Sequence, residues 1–253
     1  MRFSLVTLIP AALLFACGPM KMTPDSGPDT SCGLDCAAQQ RYGLILDRCF
    51  EYSTGSTTAS TPPSLGVWVR KESTADGLFE LEGGTKTITV EYRQGGQNVQ
   101  TDAFTIKNGD LYLMRRIAGG RSVTFKTDGA ITGVKWLTLA TGAGENFSTS
   151  TSAFLSADNS TTPTTYRVTT DTPTAMEKRT PLTTYDAAIK VLFGESPDHG
   201  ADPRRVYVPD VGFTLIASPF NLAGGSPTPH YLQRIRDLGT PDAGPDACSL
   251  GAP

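Results

Sequence analysis

Two groups of residues have the types and spacing that acid–base or nucleophilic catalysis would need. The serine in Gly194-Glu195-Ser196-Pro197 is a candidate nucleophile, but a proline follows it where a nucleophile elbow needs conformational freedom, and the closing glycine of the motif is missing. Glu80 and Glu82 share one strand face, where paired carboxylates could act as acid and base. No partner for them is evident, so we interpret them as an exposed acidic face and expect no catalytic residues.

Metal chemistry has two candidate ligand sets. Asp198, His199 and Asp202 lie in a loop rich in Gly and Pro, where such charges are usually solvated. The three cysteines between positions 32 and 49 lack a histidine and a second paired knuckle. None of the glycine pairs precedes a helix that could cradle a phosphate. We therefore expect no metal, no nucleotide and no other cofactor.

The most informative chemistry is at the amino terminus. Arg2 precedes an apolar run from Leu5 to Phe15, which is too short to cross a hydrocarbon core of roughly 30 Å as a stable helix. The run ends in Leu14-Phe15-Ala16-Cys17, which resembles the lipobox of bacterial lipoproteins. The resemblance implies cleavage before Cys17 and lipidation of its thiol. An ordinary cleaved signal with a leftover cysteine is the alternative. Gly18, in place of an Asp, implies transfer to the outer membrane.

Four cysteines remain if Cys17 is lipidated, and an oxidising compartment would join them in up to two disulfides. The sequence permits three pairings. The segment Pro-Asp-Ser-Gly-Pro-Asp before Cys32 is echoed by Pro-Asp-Ala-Gly-Pro-Asp before Cys248. From this echo we predict a Cys32–Cys248 bridge between the two ends of the chain and a local Cys36–Cys49 bridge.

The composition indicates one sizeable domain rich in strands. The chain has 253 residues, 38% of them hydrophobic, and a net charge of −3, which offers no footprint for nucleic acid. Thr, Ser and Gly are abundant, which favours strands and turns. We predict a signal peptide at 1–16, a lipid anchor and flexible tether at 17–31, a single β domain at 32–238 and a flexible tail at 239–253.

Strand patterns and turns recur every dozen or so residues, as is typical of an antiparallel meander. Asn108-Gly109 separates two strand patterns and is suited to a type I′ turn. Residues 141–163 are polar and are predicted to be a long loop or an irregular edge. Thr183 to Phe193 fits a helix or a strand, and we favour a strand. The predicted fold is all-β, with a curled sheet, a sandwich or a half-open barrel.

The last quarter of the chain resembles a recurrent pattern in poorly characterised bacterial envelope proteins. A tyrosine-led strand at Thr184–Val191 precedes a hairpin at Val206–Phe213, with Asp210 in place of the usual glycine. The resemblance implies a curled antiparallel sheet and carries no catalytic residues.

Aromatic residues on such a sheet form a candidate ligand face, although we favour the interpretation that they fill the core. The members of this face are Trp68, Tyr92, Tyr112, Phe125 and Trp136. We expect a non-enzymatic cell-envelope lipoprotein, held on the bacterial outer membrane by its lipid and acting as a binding or assembly module for an envelope partner. Its body would be periplasmic or surface-exposed. The alternatives are a carrier or sensor of an apolar ligand such as a lipid and, third, an envelope hydrolase.

Overall fold

The structure is a computed structural model that describes residues 34–53, 64–94, 97–118, 121–138, 146–155, 160–180, 183–195, 205–218, 230–239 and 248. The predicted signal peptide and tether, Cys17 and Cys32 lie outside these residues, as does the loop around His199. Within the described part, the elements are one helix and fifteen strands. They are α1 (Cys36–Arg41), β1 (Arg48–Ser53), β2 (Ser64–Arg70), β3 (Phe79–Leu81), β4 (Thr85–Gln94), β5 (Gln97–Lys107), β6 (Asp110–Ala118), β7 (Arg121–Thr127), β8 (Ala130–Ile131), β9 (Val134–Leu137), β10 (Asn146–Leu155), β11 (Ser160–Asp171), β12 (Ile189–Glu195), β13 (Arg205–Val208), β14 (Gly212–Ser218) and β15 (His230–Gly239).

The strands form one curled antiparallel sheet, which confirms the predicted all-β class. The order runs β8-β7-β10-β11-β12-β13-β14-β15-β1-β2-β4-β5-β6-β9, and β3 pairs with β4. The sheet curls far enough for β6 to pair with β7 as well. Most neighbours in the order are consecutive in the chain, as in a meander. The contact between β1 and β15 instead brings the two ends of the domain together.

The turns explain much of this meander. Asn108 and Gly109 both have positive φ angles, of 53° and 82°, as a type I′ hairpin requires, so the predicted β5–β6 hairpin is confirmed. Asp128 and Gly129 make the same kind of turn between β7 and β8. Asp210 (φ 63°) turns the predicted hairpin of β13 and β14.

One prediction about secondary structure was wrong, and a second holds only in part. Residues 141–163, predicted to be a loop or irregular edge, contain β10 and the start of β11. The Ser- and Thr-rich sequence lacks apolar alternation, but its backbone pairs with β7 on one side and along β11 on the other. In the ambiguous segment the strand begins only at Ile189, whereas 183–188 form a bridge and a turn.

The helix α1 was not predicted from the sequence. Asp35 caps it by accepting a hydrogen bond from the Ala38 amide at 3.1 Å. Gly43 (φ 66°) ends it in a Schellman motif, with amide hydrogen bonds from Gly43 to Gln40 and from Leu44 to Gln39. A Cβ at Gly43 would also lie 2.5 Å from the Gly212 Cα, so the glycine lets the helix end pack against the turn before β14.

The main core fills the inside of the curled sheet. The Trp136 ring lies edge-on to Phe104 and to Phe213, with centroid distances of 5.5 and 5.9 Å. Tyr42, which follows α1, is buried and donates a hydrogen bond to the Gly109 carbonyl at 2.6 Å. The helix is thereby fixed to the β5–β6 turn across 67 residues of sequence.

Candidate functional site

The predicted aromatic face is not one surface. Tyr92, Phe125 and Trp136 belong to the main core, where each is at most 4% exposed. Trp68 packs in a separate cluster with two cysteines, and Tyr112 is half-buried with the Lys107 and Lys135 ammonium groups over its ring. The structure therefore brings three of the five residues together, as part of the packed interior.

The predicted disulfide pairing was wrong. Cys49 at the start of β1 is bonded to Cys248, 199 residues away, with 5.9 Å between the Cα atoms. Cys36 is also in a disulfide, whose partner lies outside the described residues. The sequence echo before Cys32 and Cys248 misled the prediction, because pairing of β1 with β15 and β2 decides which cysteine the end of the chain can reach.

The Cys49–Cys248 bridge lies on the face of the sheet opposite the main core. Cys49 faces Trp68 across the β1–β2 pair, and both pack with Cys248 and Leu238. A Cβ at Gly66 would overlap the Cys248 carbonyl oxygen, so the glycine allows the two backbones to touch. Cys248 is fully buried, although it falls in the segment predicted to be a flexible tail. Of that segment, only Gly239 and Cys248 are described.

A buried group of charges, here called the core ion cluster, consists of Asp102, Arg116 and Arg205. The Asp102 side chain is completely buried and accepts two hydrogen bonds from Arg116, at 2.7 Å from Nε and 2.9 Å from an η nitrogen. Arg205 on β13 reaches it from across the core at 3.4 Å and donates to the Tyr92 hydroxyl at 2.6 Å. The Arg205 guanidinium also lies 4.7 Å from the centroid of the Trp136 ring.

Opposing effects set the ionisation of this cluster. Burial by itself would raise the pKa of Asp102. The charges of Arg116 and Arg205, with hydrogen bonds from Arg116 and Gln100, together outweigh it and hold the pKa below its usual range. Burial raises the pKa of the Tyr92 hydroxyl, and Arg205 opposes that rise. Asp102 therefore stays ionised at neutral pH and balances one of the two arginine charges, of which that of Arg205 is buried and that of Arg116 is partly exposed.

Next to the core ion cluster lies an interior cavity of about 30 Å³. Arg205, Tyr92, Tyr52 and Arg234 are among the residues that line it. A cavity needs only about 10–15 Å³ to hold a water molecule, so this one has room for water but is too small for an organic ligand.

A larger space lies on the other face of the sheet, in an outer cleft of about 170 Å³. The outer cleft is the space between charged and apolar residues on β2 to β6 and the adjoining loop. Its charged residues are Arg70, Glu72, Glu91 and Arg115, and its larger apolar residues are Phe79 and Ile117.

The two carboxylates of the outer cleft are paired with arginine side chains. Arg70 donates to Glu72 from Nε at 2.9 Å and to Glu91 from an η nitrogen at 2.5 Å. The other Glu91 oxygen accepts from Arg93 Nε at 3.0 Å. Glu91 is almost completely buried, so these arginines stabilise a charge that has lost most of its water. Both carboxylates of the cleft are therefore paired with arginines of the protein itself.

Arg115 is the remaining cation of the outer cleft. Its Nε donates to Ser122 Oγ at 2.9 Å, which fixes the direction of the half-exposed side chain. Among the described residues its η nitrogens pair with no carboxylate. Two cations, Arg70 and Arg115, and two carboxylates, Glu72 and Glu91, line the cleft, so its charges sum to zero, and Arg70 is paired with both carboxylates.

A β-bulge places Arg115 in the cleft. Phe104 pairs with Leu113 but Ala103 pairs with Arg115, which leaves Met114 as an extra residue in β6. Strict alternation from Leu111 and Leu113 would turn Arg115 inward, so sequence reasoning missed the residue. By contrast, Asp102 stands in alternation with Phe104 and Ile106, and this acidic residue in an apolar series is a signal that could have revealed the core ion cluster.

The other predicted site residues are dispersed. Glu80 is exposed on β3, and exposed Glu82 lies 3.6 Å from Lys126. In the described ranges, no three His, Cys, Asp or Glu side chains are grouped as metal ligands would be. Among those same residues we find no helix with the length and hydropathy of a membrane span.

Comparison of the chain with protein-family models, with curated proteins and with solved structures finds no match.

Proposed function

We propose that this protein is an exported bacterial envelope lipoprotein, anchored through Cys17, whose β domain is a non-enzymatic binding module. The Cys49–Cys248 disulfide is the observation that carries the proposal. Protein disulfides form and persist mainly in oxidising compartments outside the cytosol. A buried bridge over 199 residues of sequence therefore supports export, for which the apolar leader and lipobox provide the route.

The outer cleft supports the binding role. It lies on the outer face of the sheet, its Phe79 ring is 37% exposed, and its acidic groups are held by arginines. The carrier alternative has less support, because the predicted aromatic residues largely fill the core and the adjacent cavity measures only about 30 Å³.

Metabolic labelling tests the anchor. The full chain with its own leader is expressed in a Gram-negative bacterium supplied with a labelled fatty acid. We expect the label in the wild-type protein and in a Ser26→Ala tether control, but not in Cys17→Ser, together with recovery of the wild type in the outer-membrane fraction. An unlabelled wild-type chain that retains Met1 would contradict the proposal.

The binding role has a separate test. The wild-type protein is extracted from membranes in mild detergent and studied by native mass spectrometry. A reproducible complex with an envelope component, at fixed stoichiometry, supports a binding or assembly module. Turnover of an envelope polymer by the purified protein would instead favour the hydrolase.

A further inference from the structure

We propose that the outer cleft binds a small ligand that carries a carboxylate beside an apolar group, with Arg115 as the residue that recognises the carboxylate. This inference rests on the proposed binding function and names the class of ligand. Three properties of the cleft determine that class, namely its size, its charged groups and the arrangement of its polar and apolar walls.

The size of the cleft limits the ligand. Its volume of about 170 Å³ is below the roughly 300 Å³ at which pockets for drug-sized molecules begin. A ligand of about ten non-hydrogen atoms is therefore appropriate. A long acyl chain or an extended oligosaccharide would leave most of its surface outside.

The arrangement of the charges favours an anion at Arg115. Glu72 and Glu91 both accept hydrogen bonds from Arg70, and Glu91 accepts one more from Arg93, so these carboxylates are already paired with cations of the protein. The η nitrogens of Arg115 are the donors that remain, and a guanidinium binds a carboxylate through two parallel hydrogen bonds. Because the hydrogen bond to Ser122 already holds Nε, the side chain loses little freedom when the ligand binds.

The apolar wall accounts for the rest of the ligand. Phe79, Ile117 and Ala103 line the same cleft, and Phe79 is among the few large hydrophobic residues of the described chain that are exposed. Ala103 and Arg115 are direct cross-strand partners, as are Thr101 and Ile117, so the apolar and cationic groups lie side by side on β5 and β6. A carboxylate separated by one methylene group from a small ring or a branched alkyl group would contact both.

Phenylacetate is a suitable probe, with phenylacetamide and acetate as matched ligands that lack the charge or the ring. Titration is followed by NMR of the oxidised full chain without lipid. We expect saturable binding of phenylacetate with a dissociation constant of about 5 mM or lower, and at least about tenfold weaker binding of each matched ligand. The Ile117 methyl and Phe79 ring signals should shift with the same constant.

The variant Arg115→Gln keeps a polar side chain but removes the charge, and we expect about tenfold or greater loss of phenylacetate affinity. Arg179→Gln, at an exposed arginine that does not line the cleft, should bind as the wild type does. If Arg115→Gln does not fold, the wild-type titration still decides the matter. Equal affinity for phenylacetate and phenylacetamide, or signals that shift elsewhere than at Ile117 and Phe79, would overturn the inference.

The outcomes separate this inference from the proposed function. Fatty-acid labelling of Cys17 without phenylacetate binding would support the proposed envelope lipoprotein and refute the proposed class of ligand. Phenylacetate binding by a chain that is neither cleaved nor lipidated would keep the site and remove the proposed location.

Discussion

Neutralising Asp102 is the most direct test of the buried electrostatics. The carboxylate is completely buried, accepts two short hydrogen bonds from Arg116, and lies 3.4 Å from an η nitrogen of Arg205. Asp102→Asn preserves the shape of the side chain but removes its charge. Arg116 is partly exposed and can still reach bulk water, whereas the Arg205 side chain is only 5% exposed.

The expected cost follows from the cation that is left behind. Removing one partner of a buried ion pair typically costs about 3–5 kcal/mol, because the other charge stays buried without compensation. Domains of this kind have unfolding free energies of about 5–15 kcal/mol, so the variant should lose a large part of its stability at pH 7. Asp128→Asn, at an exposed turn position with φ of 50°, is the matched control and should change stability by less than about 0.5 kcal/mol.

The pH dependence has a definite sign. The pKa of Asp102 is lower in the folded protein than its ordinary value of 3.8. A lowered folded-state pKa contributes stability that is complete above the unfolded-state value and is lost as the pH falls through the folded-state value. The difference between wild type and Asp102→Asn should thus be constant above about pH 5 and should narrow in more acidic solution.

Urea unfolding of the oxidised protein, followed by tryptophan fluorescence, measures these free energies. A second variant, Asp102→Leu with Arg205→Met, exchanges the buried pair for apolar groups and should recover more than half of the loss. A cost below about 1 kcal/mol for Asp102→Asn, or a difference that stays constant down to pH 2, would refute the account of the core ion cluster.

Three further predictions concern the covalent and hydrogen-bonded links between distant segments. Gly66→Ala should destabilise the oxidised protein, because the new methyl group overlaps the Cys248 carbonyl oxygen, but it should be nearly neutral in a Cys49→Ser, Cys248→Ser background. That difference is read from paired urea titrations, and equal effects in both backgrounds would contradict the contact. The double serine variant itself should lose up to about 5 kcal/mol, since the cross-link closes a loop of 199 residues, and an unchanged melting temperature would speak against the bridge. Tyr42→Phe removes the hydroxyl that donates to the buried Gly109 carbonyl at 2.6 Å, and it should lower the free energy of unfolding by about 1–3 kcal/mol. Urea unfolding measures this loss, and a gain in stability would argue against that hydrogen bond.

Local sequence signals determined much of the fold. The alternation of β4, the Asn108-Gly109 turn and the hairpin at Asp210 could be read directly, since each depends on backbone preferences or on a period of two residues. The helix α1 carried the same kind of local signal, in Asp35 and Gly43, and was still missed. Residues 146–155 gave no such signal. They form a strand because backbone pairing on both sides holds them in the sheet, whatever their side chains.

The tertiary structure alone decided the disulfide and the outer cleft. Cys49 can meet Cys248 only because β1 pairs with β15, a contact between the two ends of the domain that no local pattern encodes. Arg115 faces the cleft only because Met114 is an extra residue in β6, and the bulge reverses every side chain that follows it. Alternation in the sequence predicts the face on which a side chain lies as long as the strand register is unbroken. The position of a bulge depends on packing across the sheet.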